Sequence, residues 1–194
     1  MSKGFSISCE RNQQPILEQL TKWFKDRQQV LEIGSGTGQH AVFFAKHLSH
    51  LNWQTSDMQE NHPSIKAWLA EAELPNVSVP VVFHLGKNDW PDVDADAVFT
   101  ANTTHIMQKH DAKLMMQTIG KHLKNGGIFC QYGPMNIDGE YTSEGNRQFD
   151  QHLAESGCGG IRDITELKEW AENMQLVAQI NMPANNFLLV WEVI

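Results

Sequence analysis

Three glycines at alternate positions form the site with the clearest chemistry in this sequence. Residues 30–33 are a short apolar run that predicts a β-strand, and Gly34, Gly36 and Gly38 follow it directly, ahead of a helical stripe. Glycines let a backbone turn tightly and approach a ligand with no Cβ in the way. An ordinary strand–helix turn is the alternative, but this spacing in this context favours a binding loop.

Two carboxylates flank the glycine loop. Glu32 stands two residues before Gly34, and Asp57 ends the next predicted strand. A carboxylate at Glu32 repels a pyrophosphate but suits a ligand that carries a cation, and Asp57 is placed to accept hydrogen bonds from ribose hydroxyls. A turn or helix cap is the alternative role of Asp57. The loop lacks the Gly-Lys-Ser/Thr ending of a P-loop and the G-x-G-x-x-G spacing of a dinucleotide fingerprint, which disfavours a nicotinamide oxidoreductase.

The spacing of apolar residues predicts the scaffold that holds this loop. Along the chain it alternates between the period of a β-strand and that of an α-helix. Strands are predicted at residues 30–33, 52–57, 77–83, 95–100 and 128–132, and helices are centred on residues 16–24, 41–48, 65–72 and 112–123. Pro15 is expected in the first turn of the first helix. The order predicts one helix followed by five strand–helix units, hence an α/β fold with a mainly parallel sheet covered on both faces.

The last third adds two helices and a hairpin. A helix is predicted over residues 143–154, and Asp163 with Glu166 has the spacing of a capping box for the next one. Apolar runs at 176–182 and 187–194 then lie on either side of Pro-Ala-Asn-Asn, which predicts an antiparallel strand pair.

Composition limits the class of protein. The 194 residues carry 15 Lys+Arg against 23 Asp+Glu, a net charge of −8, so a nucleic-acid partner is not expected. No apolar run is long enough for a membrane helix, and the N-terminus lacks a signal-peptide core, so a cytoplasmic protein is expected. Three separated cysteines form no CxxC pair and no ligand cluster is visible, so no metal is predicted.

The glycine loop with its two acids resembles the S-adenosylmethionine (SAM) site of class I methyltransferases, whose Rossmann-like seven-stranded sheet ends in a reversed hairpin. The resemblance implies that the loop passes the methionine portion of SAM, that Glu32 lies near its ammonium group and that Asp57 binds the ribose. The full set of expected cofactor-binding residues is Glu32, Gly34, Ser35, Gly36, Gly38, His40, Asp57, His84, Leu85 and Asn102.

A more specific likeness covers nearly the whole chain. Five segments resemble, in order, the uncharacterised methyltransferase-like family called domain of unknown function 938. They are Glu10-Arg11-Asn12 before Pro15-Ile16-Leu17, Tyr132-Gly133-Pro134, Gly160-Ile161-Arg162-Asp163, and Met182-Pro183-Ala184-Asn185-Asn186. The likeness implies one domain over residues 1–194, divided into an N-terminal lid and helix (1–28), a cofactor-binding half (29–135) and a C-terminal part (136–194). It supplies no substrate.

His84 departs from the class I pattern. After the third strand such enzymes often carry an acid that accepts a hydrogen bond from the adenine amino group, and this sequence has His84 there. A neutral imidazole can accept one hydrogen bond, whereas an imidazolium cannot. A non-catalytic SAM-binding module is therefore the alternative to an active methyltransferase.

Candidate acceptor residues follow the fourth and fifth strands. Asn102 is expected to contact the cofactor or orient the acceptor, and His105 is a candidate general base, with a solvent or helix-terminal histidine as the alternative. Tyr132 borders the pocket or packs in the core. Asn102 is not followed by the two prolines and the aromatic residue typical of DNA amino-methyltransferases, so a nucleic-acid acceptor is not expected, and a small molecule or a peptide group is.

Polar residues near both ends complete the predicted site. Glu10, Arg11 and Asn12 precede the first predicted helix and are interpreted as a lid over the cofactor, with a helix cap as the alternative. Glu10 joins His105 and Tyr132 as a candidate catalytic group. Arg11, Asn12 and Asn185 are the candidate substrate contacts.

Overall fold

The structure is a computed structural model that describes residues 3–194. Its helices are α1 (Ile7–Trp23), α2 (Gln39–His47), α3 (His62–Ala72), α4 (Lys109–His122), α5 (Glu144–Glu155) and α6 (Ile164–Trp170). Its strands are β1 (Gln29–Ile33), β2 (Asn52–Asp57), β3 (Val77–Val82), β4 (Ala97–Ala101), β5 (Ile128–Gly133), β6 (Met135–Asn136), β7 (Arg162–Asp163), β8 (Met174–Met182) and β9 (Asn186–Val193). A 3-10 turn at Gln59–Asn61 leads into α3.

Seven strands form a mainly parallel sheet in the order β3-β2-β1-β4-β5-β9-β8. Strand β1 pairs in parallel with β2 and β4, and β9 pairs antiparallel with both β5 and β8. The α/β fold with a terminal hairpin is therefore confirmed, and β9 is its single antiparallel strand. Strands β6 and β7 form a separate two-stranded sheet that was not predicted, because two residues are too few to show a period.

The chain divides into two compact units, one ending at Thr100 and the other spanning Ala101–Ile194. The first unit buries an aromatic cluster in which the ring centroids of Phe44 and Phe99 lie 5.3 Å apart and Trp53 packs against both. The second unit has its own core around Phe129 and Trp191, both fully buried. The division of the chain at residues 28 and 135 stays a prediction.

Helix α1 begins earlier in the sequence than the position of Pro15 predicted. Ser6 is its N-cap, with Oγ accepting from the backbone N–H of Cys9, and Pro15 lies in the helix interior rather than in the first turn. An interior proline costs about 3 kcal/mol. Burial of Ile16 and Leu20, each about 1.5–3 kcal/mol, offsets that cost. Glu10, Arg11 and Asn12 therefore lie inside α1, and the prediction that they precede the first helix was wrong.

The connection from β3 to β4 also differs from its prediction. Five strand–helix units were predicted, but residues 83–96 run from β3 to β4 without a helix. This stretch contains Gly86, Asn88 and Pro91 and has no apolar stripe of helical period, so loop residues dominate it. Among the helices of residues 3–194, none combines the length and the apolar character that a bilayer crossing requires.

Candidate functional site

The glycine loop is a tight bend fastened to β2. The backbone N–H groups of Gly34 and Ser35 both donate to the carbonyl of Ser56, at 3.1 and 3.0 Å. The N–H of Gly36 donates to Asp57 Oδ2 at 2.6 Å. The loop and the second acid are thus joined directly.

Two of the glycines are needed for different reasons. Gly36 has φ +57°, is exposed, and has no neighbouring heavy atom within 4 Å of the position that a Cβ would occupy. Gly38 has φ +94°, and a Cβ there would lie 2.9 Å from the Cα of Ile65. Gly38 therefore allows α2 to pack against α3, whereas Gly36 leaves an open backbone face on which a ligand can lie.

Glu32 is buried beneath the loop, with 2% of its surface exposed. Its Oε2 accepts from Ser35 Oγ at 2.8 Å and from Trp53 Nε1 at 3.1 Å. Burial raises the pKa of Glu32 to about 7, against the effect of these two donors, and the nearby charge of Asp57 adds to the rise. Glu32 thus holds the loop through Ser35, and its expected contact with an ammonium group stays a prediction.

Asp57 has the turn-capping role that was its alternative in the sequence, while ribose binding stays a prediction. Its Oδ1 accepts from the N–H of Met58 at 2.7 Å and from Asn61 Nδ2 at 2.8 Å, which fixes the turn into α3. Its Oδ2 accepts from Gly36. A carboxylate has about four acceptor positions, so these three bonds leave one for a ligand hydroxyl. The open face at Gly36 beside this carboxylate fits a nucleoside ribose.

Helix α1 is fastened to the start of α2. His40 Nε2 and Asn12 Oδ1 are 2.6 Å apart, and both side chains are buried. Ser6 and Gln39 exchange two hydrogen bonds, one in each direction. Burial lowers the pKa of His40 to about 4, opposed by a hydrogen bond with the backbone of Cys9, so the ring is neutral at pH 7. Asn12 and His40, predicted as substrate and cofactor contacts, therefore bond to each other.

The remaining predicted residues of the first unit lie at its surface or after β3. Glu10 and Arg11 are exposed on α1. His84 is half-buried, and its backbone N–H donates to Asn88 Oδ1 at 2.8 Å, while Leu85 is buried. The chain after β3 is thus a short turn, closed by this hydrogen bond, that carries His84, expected beside the adenine, and Leu85, a second expected cofactor contact.

In the second unit, the ends of β4 and β5 gather three of the acceptor-side residues. Asn102 has φ +55°, and its N–H donates to the carbonyl of Tyr132 at 2.9 Å. A Cβ at Gly133 would lie 3.7 Å from His105 Nδ1 and 3.8 Å from Asn102 Oδ1. Tyr132 is 3% exposed, so its ring packs in the core of this unit. Asn185 lies apart from this group, exposed in the β8–β9 turn, where its carbonyl accepts from Asn146 Nδ2.

His105 is a buried, neutral base, with 5% of its surface exposed. Burial lowers its pKa to about 4, and the charge of Asp150 opposes that shift. At pH 7 the imidazole is therefore unprotonated and one ring nitrogen can accept a hydrogen bond, but the same burial makes it a weaker proton acceptor than an exposed histidine. The interpretation of His105 as a solvent histidine is excluded by this burial.

Asp150 and its partners were missed by sequence reasoning. Tyr141 Oη donates to Asp150 Oδ2 at 2.7 Å, and the N–H of Ile161 donates to Oδ1 at 2.7 Å. The ring of Phe149 meets His105 edge-on at 5.3 Å between centroids. No motif marks these residues, because their proximity arises from α5 and the segment before β7. Within residues 3–194, no cluster of three His, Cys, Asp or Glu side chains is arranged to hold a metal ion.

A family model described as "Protein of unknown function (DUF938)" matches residues 3–193. Solved structures share the fold at low identity. An O-methyltransferase family protein from Burkholderia thailandensis is 14% identical, with a TM-score of 0.77, over 93% of this chain and 55% of that one. A family 2 O-methyltransferase from Planctomyces limnophilus in complex with apigenin is 13% identical, with a TM-score of 0.80, over 94% and 56%.

Human N-acetylserotonin methyltransferase in complex with SAM is 12% identical, with a TM-score of 0.76, over 93% of this chain and 54% of that one. This chain therefore spans a little more than half the length of the three solved proteins. At these identities the likeness is one of fold.

Proposed function

The chain belongs to the family described as Protein of unknown function (DUF938), and we propose that it is a SAM-dependent methyltransferase with a small-molecule acceptor. The observation that carries the proposal is the open, left-handed backbone at Gly36, whose N–H is bonded to Asp57. Gly157 is equally open, so what sets Gly36 apart is the hydrogen bond that places its open face against the Asp57 carboxylate.

The charges of the site support a cationic nucleoside. Asp57 lies beside the loop and Glu32 beneath it, and although burial leaves Glu32 only partly ionised near pH 7, a ligand with sulfonium and ammonium groups would favour its ionised form. The remaining acceptor position of Asp57 suits a ribose hydroxyl. When bound, SAM supplies a methyl group activated by a sulfonium, and the protein's task is alignment, which is worth about 7–11 kcal/mol in well-oriented reactions.

The acceptor side of the proposal rests on the second unit. His105 accepts the proton of the acceptor, and Asn102 orients the acceptor or contacts the cofactor. The burial of Tyr132 favours its packing role, and Glu10 stays a candidate for the lid of α1. Because two of the similar structures are named for apigenin and N-acetylserotonin, small organic acceptors are a reasonable class for this chain.

Calorimetric titration with S-adenosylhomocysteine (SAH), the cofactor product, tests this proposal. We expect the wild type to bind SAH, and Asp57→Asn to weaken binding about tenfold or more, because a charge-assisted hydrogen bond contributes about 1.5–3 kcal/mol. The matched control is Asp26→Asn, which changes an exposed aspartate paired only with Lys25. A wild-type protein that takes up no SAH at high micromolar concentration contradicts the proposal.

A non-catalytic SAM- or SAH-binding module is the second candidate, and His84 favours it. This residue stands where an acid is expected to accept from the adenine amino group. We expect His84→Asp to tighten SAH binding several-fold, because the carboxylate accepts the hydrogen bond at every pH near neutrality. SAH binding without turnover on any member of a broad acceptor panel supports this candidate over the enzyme.

A further inference from the structure

Strand β8 forms one edge of the seven-stranded sheet. It spans Met174–Met182, nine residues, and pairs with β9 alone. The backbone N–H and C=O groups along its other side therefore have no neighbouring strand among residues 3–194. An edge of this kind is a ready template for pairing with another strand, and natural proteins usually block it.

The opposite edge of the sheet, β3, is blocked in two ways. It has only six residues, and Pro80 within it has no N–H to donate. The side chain of Gln54 also donates from Nε2 to the carbonyl of Val79 at 2.8 Å, which occupies one acceptor of the strand. A further strand therefore gains few hydrogen bonds by pairing with β3.

Strand β8 lacks the protections that block β3. Its sequence, MQLVAQINM, contains no charged residue and no proline. Charged side chains, especially lysine, and proline are among the features that keep natural edge strands from pairing. The contrast between the two edges indicates that pairing is prevented at β3 and permitted at β8.

A β-bulge limits where β8 can take a partner. Its register with β9 shifts between Leu176 and Ala178, which bends the strand locally at Val177. From Ala178 to Met182 the register is unbroken over five residues. That length is about the average for a strand in a globular protein, so this half of β8 is long enough to pair with another strand.

The exposed side chains of β8 suit a second copy of the same strand. Gln175, Gln179 and Asn181 are exposed, and Val177 is 36% exposed. A carboxamide both donates and accepts hydrogen bonds, so carboxamides on two identical strands can bond to each other. The polar side chains of β8 are therefore complementary to their own copies.

The distribution of charge also favours a second copy as the partner. The chain has a net charge of −8, so two copies repel each other on average. Residues 178–182 and their partners on β9, residues 186–190, contain no charge, and Glu192 lies opposite Gln175, beyond the bulge. Two copies that meet at this stretch avoid like-charge contacts, whereas a basic or acidic peptide would find no charge on it to bind.

We propose that two copies of this chain form a homodimer through β8, with residues 178–182 of the two copies paired antiparallel about a two-fold axis. Such a contact is self-complementary, because each copy contributes the same surface. The blocked edge at β3 stops the association at two copies. One strand pair is a small interface, so the dimer is weak, with a dissociation constant of about 1–100 µM.

Sedimentation velocity of the wild type between about 1 and 500 µM tests the proposal, and we expect a shift from monomer to dimer across this range. Gln179→Lys/Asn181→Lys places like charges on both copies of the paired stretch and should raise the dissociation constant about tenfold or more. Gln179→Glu/Asn181→Glu should do the same. An equimolar mixture of the two variants should restore the dimer, because opposite charges then face each other.

The matched control is Gln148→Lys/Gln151→Lys, which adds the same charges to an exposed part of α5 and should leave the dissociation constant within about twofold of the wild type. Equal melting temperatures of the two lysine variants, measured where both are monomeric, show that the β8 substitutions leave the fold intact.

The outcomes that overturn the dimer are distinct. A wild type that stays monomeric to about 500 µM does so, as does an assembly of more than two copies. A dimer that tolerates both β8 variants, or folded variants that do not associate when mixed, places the contact elsewhere and also overturns the pairing. The measurement needs no SAH, so its result is independent of the proposed function.

Discussion

Gly36→Ala is expected to separate ligand binding from folding in the glycine loop. The residue has φ +57° and a clear space where the new methyl group would lie, so the cost to stability is that of a left-handed alanine, about 1–2 kcal/mol. In a protein of this size that shifts the melting temperature by about 2–8 °C. The methyl group projects into the space assigned to the nucleoside, so we expect SAH affinity to fall at least tenfold.

Alanine variants of two other glycines serve as references for this result. Gly157 has φ +74° and equally open surroundings, so Gly157→Ala carries the same backbone cost with no effect on SAH. Gly38→Ala brings its Cβ within 2.9 Å of the Cα of Ile65, a backbone atom that cannot move cheaply, and overpacking typically adds about 1–3 kcal/mol. Gly38→Ala should therefore be the least stable of the three.

Urea unfolding and SAH titration of the three variants give a direct comparison. Wild-type affinity in Gly36→Ala, measured where the variant is fully folded, refutes the assignment of its open face to a ligand. Equal stability of Gly38→Ala and Gly36→Ala refutes the packing explanation for the third glycine.

Three more predictions concern buried titratable groups. The pKa of Glu32 is raised from 4.5 to about 7, so the folded protein holds a proton that the unfolded chain loses, and stability falls by roughly 3 kcal/mol as pH rises from about 4.5 to 7. Glu32→Gln should remove this contribution in urea titrations across that range, and an unchanged slope contradicts it. Asn12→Ala should cost about 1–3 kcal/mol at pH 7, because it leaves the buried His40 ring without its partner; a loss below about 0.5 kcal/mol, the size typical of surface substitutions, contradicts a stabilising contact. His105→Asn should lower kcat by about 10²–10⁴ if an acceptor is found, and the wild-type acid limb should lie near pH 4 rather than 6.5.

The sheet was predictable because its strands carry their own signals. Strand β2 has the predicted bounds, and the capping box of Asp163 and Glu166 is present in α6, since both depend on local patterns. The start of α1 was not predictable from Pro15, because burial of the helix face outweighs the local cost of proline. Strands β6 and β7 depend on pairing between distant segments, which no local pattern reveals.

The candidate site was predictable where the motif coincides with backbone geometry. The proximity of the glycine loop to Asp57 follows from adjacent parallel strands, and the structure shows their hydrogen bond. The pairing of Asn12 with His40 follows from the packing of α1 on α2, which the composition of neither helix indicates. The contacts of Phe149 with His105 and of Tyr141 with Asp150 were likewise not predictable, because they arise only from the folded path of the second unit.

The motif residues do not all argue for a ligand with equal strength. Gly38 is required by the contact of α2 with α3, and Glu32 is satisfied by Ser35 and Trp53, so both would be retained in a protein that binds nothing. Gly36 and Asp57 differ as a pair: Gly157 shows that an open left-handed glycine alone can simply complete a turn, but the open face of Gly36 adjoins a carboxylate that keeps one acceptor position for a ligand. The case for a cofactor therefore depends on this pair rather than on the number of glycines, and substitutions at Gly36 and Asp57 are the ones that decide it.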